Sequence, residues 1–300
     1  MHRVAVAGSS SEPAFVSRMA TPQQGNFEAM RHSDKSAVIS LIALLLTGCG
    51  TVGGSLKPPT NLDTAAVTRV ANIVKQSGEY GTAAGIQAAY AAANPTDPAA
   101  QVTAGESALQ AGQIDKALEN FQRALQIAPN RVDAHYGLAR TYLARNQPAE
   151  AVAEFQIVVR AEPRHIRALN GMGIALDLLG RGREAQSAYR TALATAPDDR
   201  AARNNLGLSL LLSGDYGGAV AELSTLSRQP DASPRIRRNL ALALGLKGDN
   251  GGAAQIGSRD LDPASIAENQ RFFAAVHRLA TPGAPALQNS GNAATTAMAY

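Results

Sequence analysis

The sequence predicts an all-α solenoid, a stack of antiparallel helix pairs, and three observations predict it. Small residues recur in one phase: Ala83, Ala117, Ala151, Ala185, Ala219 and Ala253 each stand 34 positions after the last. Twelve positions before each alanine comes another small residue, at Ala71, Gly105, Ala139, Gly173, Gly207 and Ala241. Five positions before it comes a turn residue, at Gly78, Gly112, Asn146, Gly180, Gly214 and Gly248. The composition agrees, being rich in alanine, only 4% aromatic and without tryptophan, so a core must be packed closely from small aliphatic side chains, which favours helix on helix. A single unit of this length cannot bury its apolar face alone, so units must stack.

Taken in order, residues 1–29 show neither clean periodicity nor a core-sized apolar face and are expected to be a non-native or disordered extension, with translation starting at Met30. Residues 30–48 have the order of an export signal. Arg31, His32 and Lys35 form a positive start, residues 36–46 are apolar, and Thr47 and Gly48 are the small residues that a signal peptidase needs. A spanning helix needs about 20 apolar residues, so this run is too short for a permanent one. Cys49 is the only cysteine, which rules out an internal disulfide. Residues 49–63 are rich in Gly and Pro and read as a flexible tether, reaching at most about 50 Å extended and about 20 Å as a coil.

Residues 64–280 are the solenoid, in units 64–97, 98–131, 132–165, 166–199, 200–233 and 234–267 followed by a capping helix. Four residues after each phased alanine come Gln87, Phe121, Phe155, Tyr189, Leu223 and Gly257, bulky in the middle units and not at the ends. The Gly or Asn ends each first helix by allowing φ > 0, and Pro95, Pro129, Pro163 and Pro197 end the second helices because proline cannot continue one. Gln87, Gly257 and Asp260 depart from the pattern in the terminal units and are read as polar outer faces that cap the stack. The last helix offers Ile266, Phe272, Phe273, Val276 and Leu279 as apolar residues, with Asp262 or Ser265 as its cap, and closes the core. Residues 281–300 are low in charge and lack periodicity, and are expected to be disordered.

Several function classes are excluded. The net charge of +4 comes from Arg and Lys scattered among acids, without the aromatic-plus-basic clusters of nucleic-acid binding, and reads as a solvated surface. His2, His32, His135, His165 and His277 sit singly, and no nucleophile set, phosphate loop or metal-ligand spacing accompanies them. Gly171-Met172-Gly173 and Gly180-Arg181-Gly182 fall at repeat positions that explain them. The chain is therefore read as non-enzymatic, with no cofactor and no metal. His135 takes a position where a large packing residue is expected and reads as a packed histidine.

The period and these positions resemble the tetratricopeptide repeat. That resemblance implies a right-handed superhelix in which the first helix of each unit lines a concave groove through roughly its second, fifth, ninth, twelfth and thirteenth positions. Carried over by register, the groove takes Tyr136, Arg140 and Leu143, then Arg167, Asn170, Ile174 and Asp177, then Asn204, Leu208 and Leu211, and finally Arg235 and Arg238. Asparagines pair with a peptide backbone, apolar residues accept a helix or an extended segment, and Arg235, Arg237 and Arg238 either attract an acidic segment or form a solvated face. The full carboxylate clamp of chaperone-binding repeats is not evident.

Leu46-Thr47-Gly48-Cys49 resembles the lipobox of bacterial lipoproteins, which implies signal cleavage between Gly48 and Cys49 and lipid attachment at Cys49. Together with the tether, the repeats and the endings "NLALALGLKGD" and "DLDPASIAENQRFF", it is similar to the TadD family of Flp (tight-adherence) pilus assembly proteins. The resemblance implies an outer-membrane lipoprotein on the periplasmic face, anchored in the membrane by covalent lipid on Cys49. Its expected partner is an outer-membrane secretin or another pilus assembly component, not nucleic acid. Gly50 after the cysteine fits outer-membrane sorting. Two alternatives remain open: a lipoprotein of another envelope machine, and a soluble cytoplasmic interaction module.

Overall fold

The first helices of the units lie side by side because a bulky residue in each of the middle second helices needs the space between two of them. The computed structural model describes residues 64–280. The chain divides into two units, Met1–Asn61 and Leu62–Tyr300, and the described residues belong to the second. The extension, the signal with Gly48 and Cys49, the tether and the C-terminal tail lie outside the described residues.

Thirteen helices follow one another among the described residues: α1 Thr64–Gln76, α2 Tyr80–Ala93, α3 Pro98–Gln110, α4 Ile114–Ile127, α5 Val132–Ala144, α6 Pro148–Ala161, α7 Ile166–Leu178, α8 Gly182–Thr195, α9 Arg200–Leu212, α10 Tyr216–Ser227, α11 Pro234–Lys247, α12 Asn250–Gly257 and α13 Pro263–Ala280. Each of α1 to α12 packs on the next. In addition α3 touches α5, α5 touches α7, α7 touches α9 and α9 touches α11, whereas no comparable contact joins successive second helices. The first helices thus form the shorter, inner arc of an all-α solenoid.

Each first helix ends in one way. Gly78, Gly112, Gly180, Gly214 and Gly248 have φ between 71° and 99°, and Asn146 has φ 57°. The residue after each of them donates its N–H to a carbonyl five positions back, as Gln113 does to Ala108 at 2.8 Å and Gln147 to Tyr142 at 2.9 Å. This left-handed closure satisfies carbonyls that the helix end leaves open and turns the chain into the second helix. Helix starts are capped by Asp97, Asp199, Asp215 and Asp249, whose carboxylates accept backbone N–H groups at 2.7–2.8 Å. At α13 Asp262 is the cap, accepting from Ala264, from the backbone of Ser265 and from its hydroxyl.

The core is a row of such gaps filled from the second helices. The Phe121 ring on α4 is fully buried between Gly105 of its own unit and Gly137 of the next. A Cβ on Gly105 would come within 2.9 Å of that ring, and one on Gly137 within 2.2 Å. Phe155 presses on Gly171, Tyr189 on Gly173 and Leu223 on Gly207 in the same manner. At the C-terminal end Phe273 of α13 closes on Gly245, where an added Cβ would meet the ring at 2.2 Å. Phe273 is buried, while Phe272 and Leu279 stay exposed.

The reading of Gln87 and Gly257 as parts of polar outer faces is corrected. Gln87 is 1% exposed, and both atoms of its amide lack a hydrogen-bond partner among the described residues. Gly257 is buried as well. The position is interior in every unit because it faces the gap between first helices, whatever residue fills it. Asp260 is not a free polar surface either, since it forms a two-pronged ion pair with Arg237 at 2.5–2.6 Å.

Three substitutions test this packing. Gly137→Ala is expected to destabilise by about 1–3 kcal/mol, by forcing the Phe121 ring out of its gap, and Phe121→Ala by about 3–5 kcal/mol, both read from urea unfolding of the full chain by circular dichroism. Gln87→Leu removes two orphaned polar atoms and is expected to raise stability by about 1–3 kcal/mol; a lower unfolding midpoint contradicts this account.

Candidate functional site: the concave face

The starts of the first helices are held by a recurring three-way clasp. In α9 the Arg203 guanidinium donates to Glu222 on α10 at 2.8 Å and to the Pro197 carbonyl before the helix at 2.6 Å. Arg237 in α11 repeats this with Asp260 and the Ala232 carbonyl. In α5 the same position holds His135, whose Nδ1 lies 2.6 Å from Glu154 and whose Nε2 lies 2.9 Å from the Pro129 carbonyl. His135 is buried and doubles as a polar tie between both helices and the incoming loop. Arg237, engaged in this way, is not a free cation for a partner. His165 has a different local task, accepting the Ala168 N–H at the start of α7.

On the inner arc, a cavity of about 330 Å³ is lined by Tyr136, Arg140, Leu143, Arg167, Asn170 and Ile174, with Gly171, Asp199 and Ala201 among its other walls. The Tyr136 ring is its centre. Arg140 and Arg167 stand 5.5 and 5.7 Å from the ring centroid, in cation–π range, and His165 packs against it at 4.9 Å. Glu106 of the preceding unit neutralises Arg140 through two bonds of 2.7 and 2.9 Å. Arg167 is exposed and forms no ion pair among the described residues.

The remaining sequence-predicted residues fall elsewhere. Asp177 faces inward, accepting from Ser209 Oγ at 2.7 Å and from the Tyr189 hydroxyl at 3.1 Å. Burial raises its carboxyl above the ordinary aspartate value, opposed by those two hydrogen bonds. The Tyr189 hydroxyl is pushed up by burial first and by the Asp177 carboxylate second. Asn204 is buried in a chain of amides. Leu208 and Leu211 are half-buried, while Arg235 and Arg238 are exposed.

That amide chain is not legible in the sequence. Asn239 donates to Asn204 at 3.0 Å, Asn204 to Asn205 at 3.3 Å, and Asn205 to Asn170 at 3.0 Å. It crosses three first helices, from α11 through α9 to α7. Two exposed leucines also lie outside the predicted set: Leu178 is 58% and Leu212 50% exposed. Both occupy the thirteenth position of their units, 34 residues apart, so the repeat register already points to them.

Ser209 donates to Asp177 and is hydrogen-bonded to no histidine, and among the described residues no three His, Cys, Asp or Glu side chains gather to hold a metal. No helix among the described residues is long and apolar enough to cross a membrane. What the inner arc does offer is a long surface of paired amides, exposed leucines and unpaired arginines on a rigid frame, which defines a protein-interaction scaffold. Residues 108–173 and 170–234 each match a tetratricopeptide-repeat model, so this stretch carries tetratricopeptide repeats. No curated protein matches it in sequence.

Solved structures share the fold. PilW, a widely conserved type IV pilus biogenesis factor, is 20% identical with a TM-score of 0.62, over 71% of this chain and 100% of its own. A tetratricopeptide repeat protein from Parabacteroides merdae is 15% identical with a TM-score of 0.57, over 83% and 96%. A thermophilic repeat protein of Thermus thermophilus is 22% identical with a TM-score of 0.51, over 60% and 98%.

The Asp177 site yields a test with a defined sign. A carboxyl whose folded pKa lies above its unfolded value contributes most stability below the unfolded value, and loses that contribution as pH rises through the folded one. Asp177→Asn carries no such proton. Its unfolding free energy is expected to gain on that of the wild type as pH rises from about 4 to about 7, measured by urea titration at each pH, and a difference constant with pH contradicts the assignment.

Proposed function

We propose that this chain is an outer-membrane lipoprotein, held on the periplasmic face by lipid on Cys49, and that its solenoid is a scaffold for assembling the Flp pilus by helping the secretin reach or keep its place. One observation carries the reading: the positive start at Arg31, His32 and Lys35, the apolar run 36–46 and the ending Leu46-Thr47-Gly48-Cys49 stand directly ahead of a Gly/Pro-rich stretch and a non-catalytic repeat array. A binding scaffold derives its function from where it is held, and this order supplies the holding. Residues 239–249 and 260–273 carry the resemblance to the TadD family.

The physics of such an anchor is favourable. Each buried CH₂ of an acyl chain contributes about 0.8 kcal/mol, and two or more chains make attachment stable where one is marginal. Tethering also raises the effective concentration of the groove near membrane-bound partners, so modest intrinsic affinity suffices.

The experiment is metabolic labelling with palmitate in the native host, followed by separation of inner and outer membranes. The wild type is expected to take up label and sediment with the outer membrane, and Cys49→Ser to lose both, with a lowered amount of secretin multimer in the outer membrane. A Cys49→Ser protein that labels and sediments like the wild type overturns the anchor. An unchanged secretin level in its presence overturns the assembly role.

A further inference from the structure

The clasp that holds the helix starts is absent from α7. The fourth residue of α3, α5, α9 and α11 is polar and reaches out of its helix: Gln101 donates to the Ala91 carbonyl at 3.0 Å, and His135, Arg203 and Arg237 each meet a carboxylate and a carbonyl of the loop before the helix. In α7 that position is Leu169. The carboxylates of α6 and α10, Glu154 and Glu222, each stand seventh in their helix, and the seventh residue of α8 is Ala188. A charged pair is thus exchanged for two apolar side chains, one of them small.

The exchange leaves an open space on the back of α7. A cavity of about 510 Å³ lies between α6 and α8, with Val159, Leu169, Met172, Leu176 and Ala188 among its walls. At about 100° per residue, Leu169, Met172 and Leu176 stand on the side of α7 opposite Arg167, Asn170 and Ile174, so this groove belongs to the outer face and is separate from the inner arc. The flanking helices both pack on α7, without comparable contact between themselves.

We infer that this outer groove takes a helix of a partner protein that carries aliphatic residues at i, i+3 and i+7, flanked by acids. The floor from Leu169 to Leu176 is itself a helical ridge about 10 Å long, and helices pack ridge into groove. Leu169 and Leu176 are buried and Met172 half-buried, so the floor offers only carbon and sulfur, and the thioether of Met172 adapts to an incoming side chain. Of the polar walls, the Thr191 hydroxyl is spent on the Ser187 carbonyl at 2.9 Å, while Gln156 and Ser187 stand exposed at the rim. An extended segment pressed on such a floor leaves backbone groups unpaired, whereas a helix pairs them internally.

Charge complementarity selects the acids. Arg160 on one rim and Arg190 beside the other are exposed and form no ion pair among the described residues. The rim carboxylate Glu184 is spent on Arg181 through bonds of 2.7 and 2.8 Å, and Glu154 on His135; Glu162 stands past the end of α6. A helix with acids beside its apolar stripe therefore meets unpaired arginines on both sides.

Rebuilding the clasp tests this inference. Leu169→Arg/Ala188→Glu copies Arg203 and Glu222 of the next unit and puts a charged pair on the floor. The probe is a labelled amphipathic helical peptide with Leu at i, i+3 and i+7 flanked by Glu, read by fluorescence anisotropy with the full chain. The wild type is expected to bind it at least tenfold more tightly than the same peptide with Lys for Glu. Binding is expected to fall at least tenfold in the rebuilt variant and in Arg160→Glu/Arg190→Glu, exposed positions where the fold tolerates change, and to stay unchanged in Leu178→Asp/Leu212→Asp on the inner arc. Loss in the inner-arc variant alone, or binding indifferent to both groove variants, overturns the outer groove, and equal binding of the Lys peptide overturns the acidic flanks. If the peptide does not bind, a concentration-dependent dimer in sedimentation velocity that the rebuilt variant abolishes puts a second copy in the groove and overturns the partner helix; no binding and no such dimer overturns the docking site itself.

Discussion

Everything in this solenoid depends on one contact, a large side chain from a second helix driven into the gap between two first helices. Phe121 shows it most plainly, with its ring against the backbone of Gly105 and Gly137. Two helices approach that closely only where one of them lacks a side chain, and the ring fills the space that their grooves leave. The glycines are therefore the complement of the aromatic, and neither has a use without the other. The same pairing recurs along the stack: Phe155 meets Gly171 and Tyr189 meets Gly173.

This contact also creates the inner arc. It draws each first helix against the next, so that residues 34 or 35 apart touch, as Glu106 does with Arg140 and Asn170 with Asn205. Second helices fan outward and make no comparable contacts. Polar groups on the inner side consequently acquire partners from neighbouring units, and the surface left for a ligand consists of what that mutual pairing does not consume. Arg140 and Asp177 are largely consumed; Arg167, Arg238 and Leu178 are not.

The repeat is legible because its signals are local and recur. A left-handed residue after each first helix, a small residue where backbones approach and a bulky one to fill the gap each need only their own neighbourhood, and six copies in one phase make the pattern plain. Asn146 reads with the glycines because asparagine is the next residue to tolerate φ > 0. The terminal units mislead for a related reason. Gln87 reads as an outward polar face because glutamine is usually exposed, yet the repeat register puts that position inside, and the register prevails over the residue type.

From the sequence alone came the number of helix pairs and the face that each first helix turns inward, since these follow from spacing along the chain. Which inward residues are free was decided by tertiary structure. Arg237 and Arg238 are neighbours of one type, but only Arg237 meets Asp260, just beyond the second helix of its own unit, in a two-pronged bond. Asn204 and Asn205 link into a chain only because α7 and α11 bring Asn170 and Asn239 to them. A helix period tells where a side chain starts. For the asparagines the partner comes from a unit some 35 residues away, and the pairing is set by the lateral offset of packed helices, which no local spacing records.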